Sequence, residues 1–380
     1  MSSIGAGLYI HIPFCLSKCS YCSFNSYPLS GQNLEGYVAA LFRQIEVMAK
    51  HSWCCNQTFS SLYIGGGTPT ALDNRDLVAI IEKSLCSYHF VSDPEITVET
   101  NPNTVDKETL SMLYRAGVNR LSIGVQSFSD RLLKEIGRSH SSEEALLAIE
   151  YARLSGFSNI NIDLIYGLPT QTSDDWKESL ETALSLGPQH LSMYELMVEV
   201  ETPLATKVAE NRAILPTEDE MADMEEITVR MISPDFQRYE ISNFAQKGYA
   251  CRHNTLYWQN RSYLGLGAGA VSGLMGHRIC NIANPALFAQ MVNNNVLPIA
   301  SIEYLCRQTC FRETVIMGLR MMNGIRMADL KERFGLTPDE YYGEKVTELK
   351  TRNLLETRNG RLRLTPAALP VANQVLAELV

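Results

Sequence analysis

Three cysteines, Cys15, Cys19 and Cys22, share the short run Tyr9-Ile-His-Ile-Pro-Phe-Cys15-Leu-Ser-Lys-Cys19-Ser-Tyr-Cys22-Ser-Phe24. Their odd count is what makes them informative. A closed structural zinc site takes four ligands, commonly pairs of Cys or His. A closed four-iron cluster takes four thiolates. Three thiolates at this C-x3-C-x2-C spacing can hold three corners of a [4Fe–4S] cube and leave the fourth iron open to a substrate or cofactor. Two plainer readings use the same residues: a zinc half-site completed by a distant His or Cys, and reduced thiols that share no ligand.

Further polar and glycine-rich stretches can do chemistry. Gly65-Gly66-Gly67-Thr68-Pro69 offers backbone that approaches a ligand closely, with carbonyls free to accept from an ammonium group. Its plain alternative is a tight strand-to-helix turn. Glu99, in Val98-Glu99-Thr-Asn-Pro102, can accept from a sugar hydroxyl or simply cap a helix. His253-Asn254-Thr-Leu-Tyr257-Trp258 sets an imidazole beside two flat aromatic faces. Such an imidazole suits an axial haem ligand, and the same residue types suit a packed, hydrogen-bonded histidine. Cys251 is an alternative ligand two residues away, and His11 reads as a supporting residue of the cluster strand.

The triad, with aromatic Tyr21 before its last cysteine, resembles the radical S-adenosylmethionine (radical SAM) signature C-x3-C-x-aromatic-C. In that family SAM chelates the open iron through its amino and carboxylate groups. The reduced cluster then breaks a C–S bond of SAM to give a 5′-deoxyadenosyl radical. The resemblance runs from Leu8 into the C-terminal tail. Ile64-Gly-Gly-Gly-Thr-Pro69, Ser122-Ile-Gly-Val-Gln-Ser-Phe128 and Tyr239-Glu-Ile-Ser-Asn-Phe244 are similar to phrases of the HemN/HemW group. It implies SAM contacts at Tyr9, Gly66, Thr68, Glu99, Gln126, Arg138 and Asp163, with Glu195 standing where the dehydrogenase branch has a small residue.

Three features separate this chain from the branch that decarboxylates coproporphyrinogen III without oxygen. Phe24 occupies the position of a fourth cysteine and offers no thiolate. Only eight residues precede Tyr9, and the His253 stretch matches the H-N-x-x-Y-W motif of the haem-carrying branch. The resemblance therefore implies a haem chaperone with His253 as haem ligand, and recipients among respiratory haem proteins. Oxygen-independent coproporphyrinogen III dehydrogenase is the second reading, and a nucleic-acid-binding regulator the third. A homodimer and a peripheral membrane contact stay open.

Positioning these residues requires repeated βα units. The expected strands are Leu8–Ile12, Ser61–Ile64, Glu95–Glu99, Arg120–Gly124, Asn159–Tyr166 and His190–Leu196. Helical periodicity falls between them, at Leu34–Lys50, Asp73–Ser87, Asp106–Ala116, Ser141–Ser155 and Ser173–Leu186. Six such units by about residue 200 suit an α/β fold, a partial (β/α)6 TIM-like barrel, whose chemistry sits at the C-terminal strand ends. Glu218–Ile232 reads as a helix and Arg238–Ile241 as a strand. From about Ile302 the pattern turns helical, through Lys345–Arg352, and ends in a hairpin at Asn359-Gly360. This tail reads as a smaller, mostly helical winged-helix-like domain. The expected divisions are a core over 1–235, an extension bearing the His253 motif over 236–300, and the tail over 301–380.

Composition sets the outer bounds. Forty-two acidic against 33 basic residues give a net charge of −9, which disfavours nonspecific nucleic-acid binding. The tail from Arg326 holds nine basic and eight acidic residues, which favours packing or protein contact over DNA. No apolar run is long enough to span a membrane, and Met1 to Gly7 lacks a secretory pattern. Ten irregularly spaced cysteines do not form a disulfide framework. A reducing cytoplasm is the expected setting.

Overall fold

The computed structural model describes residues 5–232, 234–274 and 276–380. The first four residues of the Met1 to Gly7 stretch lie outside that range. Seventeen strands occur among the described residues. In chain order they are β1 (Ala6–Ile12), β2 (Phe14–Cys15), β3 (Tyr27–Pro28), β4 (Phe59–Gly66), β5 (Phe90–Thr100) and β6 (Arg120–Gln126). Then come β7 (Ile160–Tyr166), β8 (His190–Glu195), β9 (Phe236–Arg238), β10 (Asn243–Gln246), β11 (Tyr263–Leu266) and β12 (Val271–Leu274). Last are β13 (His277–Asn281), β14 (Ile299–Tyr304), β15 (Ile325–Arg326), β16 (Leu355–Arg358) and β17 (Arg361–Leu364).

One twelve-stranded sheet runs β14-β13-β12-β11-β1-β4-β5-β6-β7-β8-β10-β9. Its centre, β11 through β8, is parallel, and antiparallel strands extend it at both edges. The expected six-unit core is therefore present and is lengthened by β11 beside β1. Central strands read as near-continuous apolar runs because helices cover the sheet. In β1, six of the seven residues are buried. The helices start where their caps dictate. Ser141 and Glu144 form a reciprocal capping box before the helix Ser142–Leu154. The fully buried Trp176 donates from Nε1 to Thr228 Oγ1 at 2.9 Å, tying two outer helices together.

A second cluster of buried side chains runs from Phe311 to Leu379. There β15, β17 and β16 form a small sheet beside helices. Asn359 and Gly360 make its hairpin turn with φ of 52° and 71°, the left-handed pair that a two-residue turn of this kind requires.

Two expected elements differ. The strand placed over Arg238–Ile241 ends at Arg238, because Glu240 folds its carboxylate back onto Ser242 N and Asn243 Nδ2. The chain then reverses into β10, which pairs with both β9 and β8. Helix was expected from Ile302, yet Ile299–Tyr304 is an edge strand on β13 and the helix begins at Arg307. Its residues are mostly exposed, so no buried face imposed an alternation in the sequence.

Candidate functional site

The mouth of the barrel is built from C-terminal strand ends. Chain leaving β1 passes through β2 to Cys15, loops past Cys19 and Cys22, and returns at β3. The loop is held by the backbone, Ser20 N donating to Ile136 O at 3.0 Å and Leu204 N to Ser20 O at 2.8 Å. Lys18 Nζ donates to Phe24 O and Ser26 O at 3.1 and 3.3 Å. Asn25 Nδ2 donates to the carbonyls of Ala268 and Ala283, each at 3.1 Å. His11, buried, accepts or donates at both nitrogens, to Tyr9 Oη at 2.9 Å and Asn25 O at 2.8 Å, so it supports the loop as expected.

Cys15, Cys19 and Cys22 are half-buried free thiols on the wall of one cavity of about 400 Å³. Burial pushes the thiols of Cys15 and Cys22 up. Two donors face the sulfurs: Thr68 Oγ1 lies 3.6 Å from Cys15 Sγ, and Arg138 Nη1 lies 3.5 Å from Cys19 Sγ. Asn101 joins these donors, accepting from Arg138 Nη2 at 2.6 Å and donating to Thr68 Oγ1 at 2.7 Å. A continuous brace thus links two of the three sulfurs. Among the described residues no three His, Cys, Asp or Glu side chains converge on a single-ion site. A cube distributes its thiolates over separate irons, and donors aimed at sulfur suit anionic thiolates, so the residues present fit such a cluster.

The rest of the cavity gathers six of the seven residues expected to contact SAM. Gly66, Thr68, Glu99, Gln126, Arg138 and Asp163 all line it, and so does Glu195. Glu99 accepts from Tyr63 Oη at 2.7 Å and from Gly66 N at 3.0 Å. A Cβ on Gly65 would lie 2.7 Å from the Glu99 carboxylate, and Gly66 has a φ of +116°. The glycines are therefore what lets the acid approach the turn. Burial holds the carboxyls of Glu99 and Asp163 above the usual range, against the hydrogen bonds each accepts. Asp163 accepts from Ser122 Oγ at 3.1 Å and Asn161 Nδ2 at 2.8 Å. Gln126 sits in the left-handed region at φ 67°, where a register shift between β6 and β7 interrupts the ladder.

Two expected residues lie elsewhere. Tyr9 is absent from the cavity lining; its hydroxyl meets His11 and its ring lies 6.2 Å from that of Tyr63. Tyr63, which sequence reasoning passed over, takes the cavity-facing place. Asn101 and Arg120 were also missed, although Asn101 directly follows β5 and Arg120 opens β6, both strands already singled out.

His253, the residue expected to ligate haem, has both ring nitrogens engaged by protein groups. It lies beneath the cavity, against the lining residue Tyr63, on the short helix Arg252–Trp258, and is 1% exposed. Its Nδ1 pairs with Ser61 Oγ at 2.8 Å and its Nε2 with Tyr257 Oη at 2.9 Å. The ring stacks on Tyr63 at 5.0 Å. Both nitrogens are used, and burial, then the Arg120 charge, lowers its pKa to about 3. Glu95 of β5 anchors the same helix, accepting from Arg252 N at 2.8 Å and His253 N at 3.0 Å. Cys251, the alternative ligand, is fully buried, with its sulfur 3.4 Å from Glu95 Oε1. The helix is a plug beneath the barrel, and only its Asn254 reaches the cavity.

Residues 9–183 match the family model of the Radical SAM superfamily, and residues 307–371 match the HemN C-terminal domain. The solved structure of coproporphyrinogen III oxidase (HemN) from Escherichia coli, a radical SAM enzyme, superposes with a TM-score of 0.85 at 23% identity. The superposition covers 99% of this chain and 90% of that one. Fold and thiol loop together define a radical SAM protein. The Heme chaperone HemW of Bacillus subtilis (strain 168) is 35% identical over 370 residues, 97% of each chain. That of Escherichia coli (strain K12) is 37% identical over 265 residues, covering 69% of this chain and 68% of its own. The chain belongs to the HemW family of haem chaperones within the radical SAM superfamily.

Proposed function

We propose that this chain binds haem and a SAM-ligated [4Fe–4S] cluster, and delivers the haem to recipient haem proteins. The observation that carries the reading is the single cavity gathering Cys15, Cys19 and Cys22 with Glu99, Arg138 and Asp163, in a chain whose relatives are named haem chaperones. A cluster bound here would supply single-electron chemistry, and SAM on its open iron would supply a C–S bond open to one-electron cleavage. The three thiolates hold the irons. Arg138 and Thr68 place positive charge and a hydroxyl against the sulfurs. The backbone at Gly65 and Gly66 accepts the ammonium group, and Glu99 accepts a ribose hydroxyl. Asp163 and Gln126 complete the seat. Phe24, 67% exposed, presents an apolar face at the rim where the dehydrogenase pattern has a thiol.

Haem recognition through His253 would require Tyr257 to leave Nε2, so we assign His253 the plug role instead. We expect cytoplasmic work and respiratory haem proteins as recipients; no helix among the described residues is long and apolar enough to cross a membrane. Anaerobic reconstitution with separate titrations of iron, SAM and haem tests the reading. Uptake of all three supports it, and turnover of coproporphyrinogen III to protoporphyrinogen IX overturns it in favour of the dehydrogenase.

A further inference from the structure

The seam between the barrel plug and the C-terminal domain is strongly basic, although the chain as a whole carries −9. A cavity of about 230 Å³ there is lined by Arg261, Arg326, Arg333 and Arg361. A second, of about 390 Å³, adjoins it through Asn323 and Arg361 and adds Arg358 and Arg363 from the hairpin. Carboxylates come within ion-pair distance of two of these six guanidiniums among the described residues, Asp329 at 3.5 Å from Arg326 and Glu356 at 2.6 Å from Arg363, and Asp329 also acts on Arg333 from farther off. Arg333 and Arg361 donate to backbone carbonyls, which fixes their forks without neutralising them.

Two buried donors are left without a partner among the described residues, Nε of Arg261 and Nε1 of Trp258, and both residues line the first cavity. Burial and then the neighbouring Arg261 hold Arg333 below the ordinary guanidinium value. Clustered, partly desolvated guanidiniums repel one another, and a bound oxyanion relieves that repulsion through bidentate hydrogen bonds. The wall also offers Met321, Ile325 and Leu330, so the cavity accepts an apolar body beside the charge.

We propose that this arginine-lined seam binds a small molecule carrying at least two carboxylate or phosphate groups. The two adjoining volumes match such a ligand in size. Haem, with two propionates, is one source of the chemistry, and that arm alone rests on the function proposed above; a phosphorylated metabolite is the other.

The test uses the full chain with inorganic pyrophosphate, followed by Trp258 fluorescence and calorimetry. Binding should weaken with salt and fall about tenfold or more in the double variant Arg261→Gln/Arg358→Gln. Asp329→Asn, which removes a competing carboxylate, should tighten it about threefold. A purely structural role for these arginines gives no such gain. Arg358→Gln alone, on the exposed hairpin, serves if the double variant does not fold. Parallel titrations with haem and haem dimethyl ester identify the source. Loss of arginine dependence in the ester assigns the site to propionates, and arginine-dependent pyrophosphate binding alone assigns it to phosphates. The proposal is overturned if both ligands bind the arginine variants as they bind the parent, if neither binds, or if DNA is the ligand that the arginines capture. Failure of haem to bind anything in the parent overturns the chaperone reading and leaves the pyrophosphate result to judge this one.

Discussion

The two ends of the barrel use the same residue types to opposite purpose. At the mouth, cysteine, tyrosine and carboxylate side chains face a cavity, and Thr68 and Arg138 aim donors at two of the sulfurs. At the floor, Cys251, His253, Tyr257 and Glu95 face one another, and each polar atom of the His253 ring has a protein partner. The residue types that suit ligation also suit a packed, hydrogen-bonded floor. What distinguishes the two ends is the strand end each occupies, since β4 and β5 carry Gly66 and Glu99 at one terminus and Ser61 and Glu95 toward the other.

Removing the thiols should give the largest separation. Cys15→Ala, Cys19→Ala and Cys22→Ala should each abolish cluster uptake, read as iron and sulfide per chain, while moving the Tm little, because the thiols are half-buried. His253→Ala should do the reverse. Loss of two buried hydrogen bonds and a stacked ring should cost about 2–4 kcal/mol of stability, with the reconstituted cluster retained and the haem spectrum unchanged. A haem spectrum altered at constant stability would restore His253 as a ligand. Glu95→Ala should fall close behind, at about 2–3 kcal/mol by denaturant titration, because it frees the backbone donors that start the plug helix.

A pH series sharpens the contrast further. His253 is neutral in the fold, with its pKa lowered from 6.5 to about 3 by burial and then by Arg120. A depressed folded value means its contribution is whole above pH 6.5 and is lost as pH falls from 6.5 toward about 3. Tyr63, Tyr257, Tyr9 and Arg120 face the ring, and none of these changes charge in that window. His253→Gln should therefore flatten the acid limb of the stability curve, and an unchanged limb would remove this assignment. The smallest effect is expected at the mouth. Asn101→Ala breaks the brace between Arg138 and Thr68 and should shift the cluster's reduction potential to a more negative value, since weaker donation to the sulfurs favours the oxidised state.

Much of the mouth was legible in the sequence because its signals are local. The thiol spacing, the glycine turn and the polar residues at strand ends each sit within a few positions of an apolar run that announces a strand. Asn101 escaped notice because its role is a relay between Thr68 and Arg138, 33 and 37 positions away. The placement of His253 was illegible for a related reason. The helix bearing it docks on Ser61 and Glu95, 192 and 158 positions earlier, and nothing near the motif states which end of the sheet it meets. The edge strand Ile299–Tyr304 has hardly any buried face, so pattern alone could not distinguish it from the start of a helix.

Asn25 carries a consequence for biogenesis. Its side chain clasps carbonyls 243 and 258 positions downstream. A chain emerging from the ribosome presents all three thiols long before that clasp can close. The loop stays unanchored on this side until Ala268 and Ala283 have been made and folded against it, so iron and sulfide delivered to the finished geometry must arrive after that point.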